Sequence, residues 1–185
     1  MPKAVFLDRD GTVNREVDLL RDIKQLRLIP GAAAAIRELN RLGFLVIIIT
    51  NQPVIARGWV SKRELDRIHA LLARRLGRKG AKVDAIYYCP HHPHANLRRY
   101  RMRCSCRKPN IGLIRKAVKA FKIDVRRSFM IGDSTRDIET GRRAGLKTVL
   151  VKTGYAGKDR KYNVEPDFVA RDMIQAVRFI KKHAE

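Results

Sequence analysis

The chain has 185 residues, enough to bury a core, and 45% of them are hydrophobic, which excludes disorder by composition. It contains no run of about 18 apolar residues, so no membrane-spanning helix is expected, and Met1-Pro2-Lys3 runs straight into an apolar segment, leaving no room for a signal peptide. Forty-one Lys and Arg against 18 Asp and Glu give a formal charge of +23, which implies affinity for polyanions at low salt in what reads as a cytoplasmic protein.

Ala4-Val5-Phe6-Leu7 is apolar without alternation, the pattern of a strand covered on both faces in a parallel sheet. It delivers Asp8-Arg9-Asp10-Gly11-Thr12 to the carboxyl edge, where open α/β sheets place their ligands. Residues two apart share a face in extended backbone, so Asp8 and Asp10 are expected to project together while Arg9 points elsewhere. Two close carboxylates call for a divalent cation or a cationic clamp. Gly11 frees the turn, and Thr12 offers a hydroxyl and an amide to an anion. The plainer alternative is a pair of aspartates capping a turn.

Residues 14–29 are mixed and charged and read as a loop with a short hairpin. Pro30-Gly31 opens a helix over about 32–42, with Ile36, Leu39 and Leu42 on one stripe and Gly43 ending it. Residues 44–49 form a second apolar strand that ends at Thr50-Asn51-Gln52-Pro53, giving a βαβ unit and hence a parallel sheet. Ser61 and Glu64 make a capping box for a helix reaching about 76, buried along Leu65, Ile68, Leu71, Leu72 and Leu76. A strand over 84–88, a cysteine-bearing loop and a helix over about 111–121 follow. A fourth strand over 128–131 ends at Gly132-Asp133-Ser134-Thr135-Arg136-Asp137. A helix through Ala144, a strand over 148–151, a turn at Gly154, a short strand near 168–169 and a helix from Asp172 complete one expected domain over 1–185.

Asp8, Thr50 and Asp133 thus fall at strand ends along one edge of the sheet. Asp8, Asp133 and a backbone carbonyl make a hard oxygen set suited to Mg²⁺, and Lys108, just ahead of a helix, offers a compact charge to a phosphoryl oxygen. All three cysteines lie between Asp84 and Asp124, a stretch without any acidic residue. Cys89-x-His91 and Cys104-x-Cys106 supply three thiolates and an imidazole, a closed tetrahedral set suited to structural Zn²⁺. His91 is the fourth ligand by spacing, with His92 and His94 as alternatives expected to face solvent; a core of free cysteines is the plainer alternative to zinc.

Taken in order, Asp8-x-Asp10-Gly11-Thr12, Thr50-Asn51-Gln52, Lys108 and Gly132-Asp133-x-x-x-Asp137 resemble the haloacid dehalogenase superfamily of phosphatases over nearly the whole chain. The resemblance implies an α/β fold, a Rossmann-like three-layer sandwich with a mainly parallel sheet. It implies Asp8 as the nucleophile that forms an aspartyl-phosphate, and Asp10 as general acid and then base. Thr50 and Lys108 would hold the phosphoryl group, with Mg²⁺ on Asp8, the Asp10 carbonyl and Asp133 and with Asp137 in support. Asp10 must then be protonated for part of the cycle, and a like-charged neighbour shifts its pKa that way.

The cysteine loop, about 89–108, resembles the zinc loop of D-glycero-D-manno-heptose-1,7-bisphosphate 7-phosphatases and of histidinol-phosphate phosphatase domains, where it stands in for a large cap. Carried over by position, Arg107 recognises the distal part of the substrate and Lys108 the phosphoryl group, while Gly11, Thr12, Asn51, Gln52 and Arg57 are further substrate-side positions. The stretch through Ile55-Ala56-Arg57-Gly58 is closer to the heptose-bisphosphate branch. Two positions depart from the subgroup: Pro53-Val54 stands where Ser-Gly is usual, and Leu19 where an aromatic is usual.

The expected function is therefore Mg²⁺-dependent hydrolysis of a small phosphorylated sugar by a monomer. Histidinol phosphate is the alternative small substrate. A polynucleotide 3′-phosphatase shares the first two motifs and suits the charge of +23, but an aromatic content of 6% is low for base stacking. A non-catalytic zinc-stabilised module is the remaining alternative.

Overall fold

A computed structural model describes residues 1–183. Six strands, β1 (Ala4–Leu7), β2 (Leu45–Asn51), β3 (Ala85–Cys89), β4 (Phe129–Gly132), β5 (Lys147–Val151) and β6 (Phe168–Ala170), form one sheet in the order β3-β2-β1-β4-β5-β6. Every pairing within it is parallel. From β1 the chain winds outward through β2 and β3, then returns beside β1 at β4 and winds the other way. The order reverses between β1 and β4, and a crevice opens at the carboxyl ends of strands that part in this way.

The connecting helices are α1 (Ala32–Arg41), the short α2 (Pro53–Ala56), α3 (Lys62–Gly77), α4 (Gly112–Phe121), α5 (Thr135–Arg143) and α6 (Met173–Lys182). Strand periodicity sends Val5, Leu7, Val46, Ile48, Phe129 and Ile131 to one face, where α1, α3 and α6 bury their apolar stripes. Phe6, Ile47, Ile49 and Met130 go to the other face, under Leu113, Ile114 and Ala117 of α4. On α5, a Cβ at Gly141 would come 2.8 Å from the Met130 Cβ, so the glycine is what lets this helix lie close on the sheet. Helices on both faces make the three-layer α/β sandwich that the apolar runs imply. Among the described residues no helix is long and apolar enough to cross a membrane.

Local chemistry sets the helix starts. The Ser61 Oγ accepts the Glu64 amide at 3.2 Å while the Glu64 carboxylate accepts the Ser61 amide at 2.7 Å, the reciprocal cap read from the sequence. Two features differ from expectation. β2 runs past its apolar stretch, because Thr50 and Asn51 still pair with Tyr88 and Cys89 of β3. The stretch 14–29 forms no hairpin strands; it holds isolated bridges from Asn14 to Asp10 and Leu28 and a short 3₁₀ turn, Ile23–Gln25, pinned to the core by Leu20 and Leu26.

Candidate active site

Parallel strands deliver the polar residues to one edge. Asp8 follows β1, Thr50 and Asn51 end β2, and Asp133 follows β4. Lys108 reaches the same place from the cysteine loop, fully buried, with its Nζ 2.8 Å from the Asp8 carboxylate and 2.5 Å from that of Asp137. Asn51 fixes the backbone of Lys108: its amide donates to the Lys108 carbonyl at 3.2 Å and its oxygen accepts the Lys108 N–H at 3.0 Å. The Gln52 amide donates to both Asp10 and Thr50, at 2.9 Å each. Asp137 accepts from the Ser134 amide at 3.2 Å and its hydroxyl at 2.6 Å, so the opening turn of α5 is tied to the site.

The loop after β5 closes over Asp133. The Tyr155 amide donates to its carboxylate at 2.6 Å, the Gly157 amide to its carbonyl at 2.8 Å, and the Thr153 hydroxyl to the Gly11 carbonyl at 2.6 Å. Gly11 and Gly154 both have positive φ and both lie against Asp133; a Cβ on Gly11 would stand 2.6 Å from the Asp133 Cγ. Their role is to make room.

Charge is unevenly distributed. Asp8, Asp133 and Asp137 bring carboxylates within 4.8 Å of one another, with Lys108 between Asp8 and Asp137. Burial first, and then the charge of Asp137, push Asp8 up to about 7 and Asp133 up to about 9. A hard-oxygen set with this excess of negative charge fits a small divalent cation such as Mg²⁺. Asp10 behaves in the opposite way. Burial would raise it, but the Arg9 guanidinium and the donors of Asn14 and Gln52 outweigh that and hold it below the ordinary carboxylate range. The expectation that a neighbouring carboxylate raises Asp10 is thereby corrected.

Arg9 itself does not turn away. It is fully buried, folds back beneath Asp10 with contacts of 2.6 and 3.1 Å to the two carboxylate oxygens, and lies 3.1 Å from the Nε2 of His69 on α3.

Cys89, His91, Cys104 and Cys106 form a second cluster. Their sulfurs stand 3.1 to 3.5 Å apart and the His91 Nδ1 lies 3.4 Å from Cys106. Hydrogen bonding from Cys89 pulls the Cys106 thiol down to about 5 against the opposing effect of burial. Three sulfurs and an imidazole converging in this way fit tetrahedral zinc. His94 is exposed, whereas His92 lines the cavity described next. The cluster also orients Arg107, whose guanidinium donates to the His91 carbonyl at 3.0 Å.

A cavity of about 380 Å³ opens over the strand ends. Asp8, Asp10, Thr50, Asn51, Arg57, Arg107, Lys108 and Asp133 reach its wall, as do Leu19 and Pro53, the two positions that depart from the subgroup pattern. Gly11, Thr12, Gln52 and Asp137 lie buried behind them. Sequence reasoning missed Arg9 and His69, the loop from Thr153 to Gly157, and two cations in the wall, Arg136 and Lys161. The turn at Gly154 was the one signal for that loop.

A HAD-hydrolase-like family model matches residues 105–176. The D-glycero-beta-D-manno-heptose-1,7-bisphosphate 7-phosphatase of Pasteurella multocida is 41% identical over 83% of this chain and 84% of its own length. That of Haemophilus influenzae is 36% identical over 98% of both. Among solved structures, the D,D-heptose 1,7-bisphosphate phosphatase of B. bronchiseptica, complexed with magnesium and phosphate, superposes with a TM-score of 0.86 at 31% identity, over 98% of this chain and 99% of its own. With that extent of likeness, and with the four motifs gathered at one sheet edge, the chain belongs to the haloacid dehalogenase-like phosphatases, in the heptose-bisphosphate phosphatase family.

Proposed function

We propose that the chain hydrolyses the 7-phosphate of D-glycero-D-manno-heptose 1,7-bisphosphate through an aspartyl-phosphate on Asp8. The observation that carries this reading is the buried pairing of Asp8 with Lys108 at the mouth of the switch-point crevice. Attack by a carboxylate oxygen forms a new O–P bond and breaks the ester P–O bond. Asp10 gives its proton to the departing sugar oxygen, then takes one from the water that releases phosphate. Arg9, Asn14 and Gln52 favour the ionised form of Asp10, the form needed in the second step. A substrate dianion beside it raises its pKa, which favours the acid form while the ester is bound.

Thr50 and Lys108 hold the phosphoryl oxygens, Asn51 and Gln52 position those two groups, and Arg57 and Arg107 meet the sugar end. Asp8, the Asp10 carbonyl and Asp133, with Asp137 in support, would hold Mg²⁺, which supplies charge neutralisation for a carboxylate approaching a phosphate dianion. Cys89, His91, Cys104 and Cys106 would hold a structural Zn²⁺. The groups assigned to the reaction lie within one chain, so a monomer would suffice for it.

The charge of +23 favours a second reading, a polynucleotide 3′-phosphatase, although a cavity of about 380 Å³ is the size for one small phosphosugar. Phosphate release with Mg²⁺ is compared for heptose 1,7-bisphosphate, fructose 1,6-bisphosphate, histidinol phosphate and a 3′-phosphorylated oligonucleotide, with Asp8→Asn as control. A dominant kcat/KM for the heptose is expected, and a dominant kcat/KM for the oligonucleotide would replace the reading. Full activity in Asp8→Asn would remove the aspartyl-phosphate.

A further inference from the structure

The cations at the site differ in what they engage. Lys108 is engaged with Asp8 and Asp137, and Arg9, buried beneath the cavity, with Asp10. Among the described residues, four further cations line the cavity without an ion pair: Arg57, whose guanidinium lies over the Trp59 ring at 4.7 Å, and Arg107, Arg136 and Lys161. The last three come from separate segments: the end of the cysteine loop, the first turn of α5 and the loop after β5.

The fold holds them there. The Arg107 guanidinium is tied to the His91 carbonyl. The Thr135 hydroxyl and amide donate to Asp159 at 2.9 and 2.8 Å, and the same hydroxyl accepts the amides of Lys161 and Tyr162 at 3.1 and 3.3 Å. Lys161 is thus fastened beside the turn that carries Arg136. The like charges press on one another: Arg136 first, then burial, and Arg107 as well hold the Lys161 ammonium below its usual range against the pull of Asp159. Repulsion of this kind is relieved when an anion enters.

We propose that Arg136 and Lys161, acting with Arg107, seat the second, non-reacting phosphate of the substrate, and so determine preference for a bisphosphate over a monophosphate. The proposal rests on the sugar-bisphosphate reading above and names residues for it beyond those that the family motifs carry. Two guanidinium groups suit a phosphate that stays in place, since their planar donors can bind it bidentately while Lys161 adds a point charge.

The test compares kcat/KM for heptose 1,7-bisphosphate and heptose 7-phosphate in the wild type, Arg136→Met, Lys161→Met, the double variant and Arg136→Lys. The wild type is expected to prefer the bisphosphate. That preference is expected to fall at least tenfold in Arg136→Met, equivalent to about 1.4 kcal/mol, chiefly through KM. Arg136→Lys should recover part of it, and the double variant should lose more than either single one. A preference kept within twofold across the Met variants overturns the seat and leaves the phosphatase reading standing, as does a wild type that favours neither heptose ester. Failure to hydrolyse either one overturns the sugar reading and the seat with it.

Discussion

His69 is a neutral imidazole enclosed beneath the active site, and it makes the fold acid-labile in a way that can be measured. It is 7% exposed on the inner side of α3, with its ring 5.4 Å from that of Tyr88. Its Nε2 faces the Arg9 Nη1 at 3.1 Å, and a guanidinium can only donate, so Nε2 accepts and the ring proton sits on Nδ1. Burial, then the Arg9 charge, with Asp10 opposing, pulls its pKa from 6.5 down to about 3. The unfolded chain takes up a proton below pH 6.5 that the folded chain refuses, so stability falls with pH from about 6.5 until protonation of the native state near 3. At 1.36 kcal/mol per unit, this one group accounts for about 2 kcal/mol lost between pH 7 and pH 5. His69→Gln keeps an acceptor for Arg9 and removes the titration. Urea unfolding of both proteins at pH 7 and pH 5 reads the difference: the wild type should lose about 2 kcal/mol more than the variant. Equal losses, within about 0.5 kcal/mol, would refute the neutral, enclosed imidazole and with it the support assigned to Arg9.

Two further perturbations address the metal-facing parts of the site. Gly154 has φ +58°, and a Cβ there would meet the Asp133 carboxylate and stand 2.6 Å from the Gly11 Cα. Gly154→Ala is therefore expected to lift the loop from Asp133, at about 1–3 kcal/mol of stability, and to raise the Mg²⁺ concentration for half-maximal activity at least tenfold; a Mg²⁺ titration of turnover checks this, and an unchanged midpoint would show that the loop does not hold Asp133. Cys104→Ala takes one sulfur from the cluster whose loop orients Arg107 through the His91 carbonyl. Its zinc content by elemental analysis should fall, with KM for the bisphosphate rising severalfold and kcat changing less; a fall in kcat alone would place the cluster's influence at Asp8 and Lys108 instead.

What could be read from the sequence and what could not follow from the range of the forces involved. β1 and β2 were legible because full burial demands unbroken apolar runs, and Asp8, Asp10 and Asp133 because a strand end is a local feature with a fixed address in a parallel sheet. Cys89, His91, Cys104 and Cys106 were legible because ligand spacing is short along the chain. Arg9 was misread by the rule that alternate residues point apart. That rule fixes where a Cβ starts, not where a long guanidinium ends, and the first turn after β1 lets Arg9 curl back beneath Asp10. His69 lies 60 positions away from it and looks like any polar residue in an amphipathic helix.

The cationic wall is a still less local property. Arg107, Arg136 and Lys161 are three basic residues in a chain that has 41, so composition hides them. What sets them apart is the docking of the loop after β5 onto Thr135, together with the engagement of Lys108 by Asp8 and of Arg9 by Asp10. A net charge of +23 by itself speaks of polyanions in general. With the proposed phosphate seat, a substitution that removes Arg136 should cost discrimination far more than removal of an exposed lysine on α6.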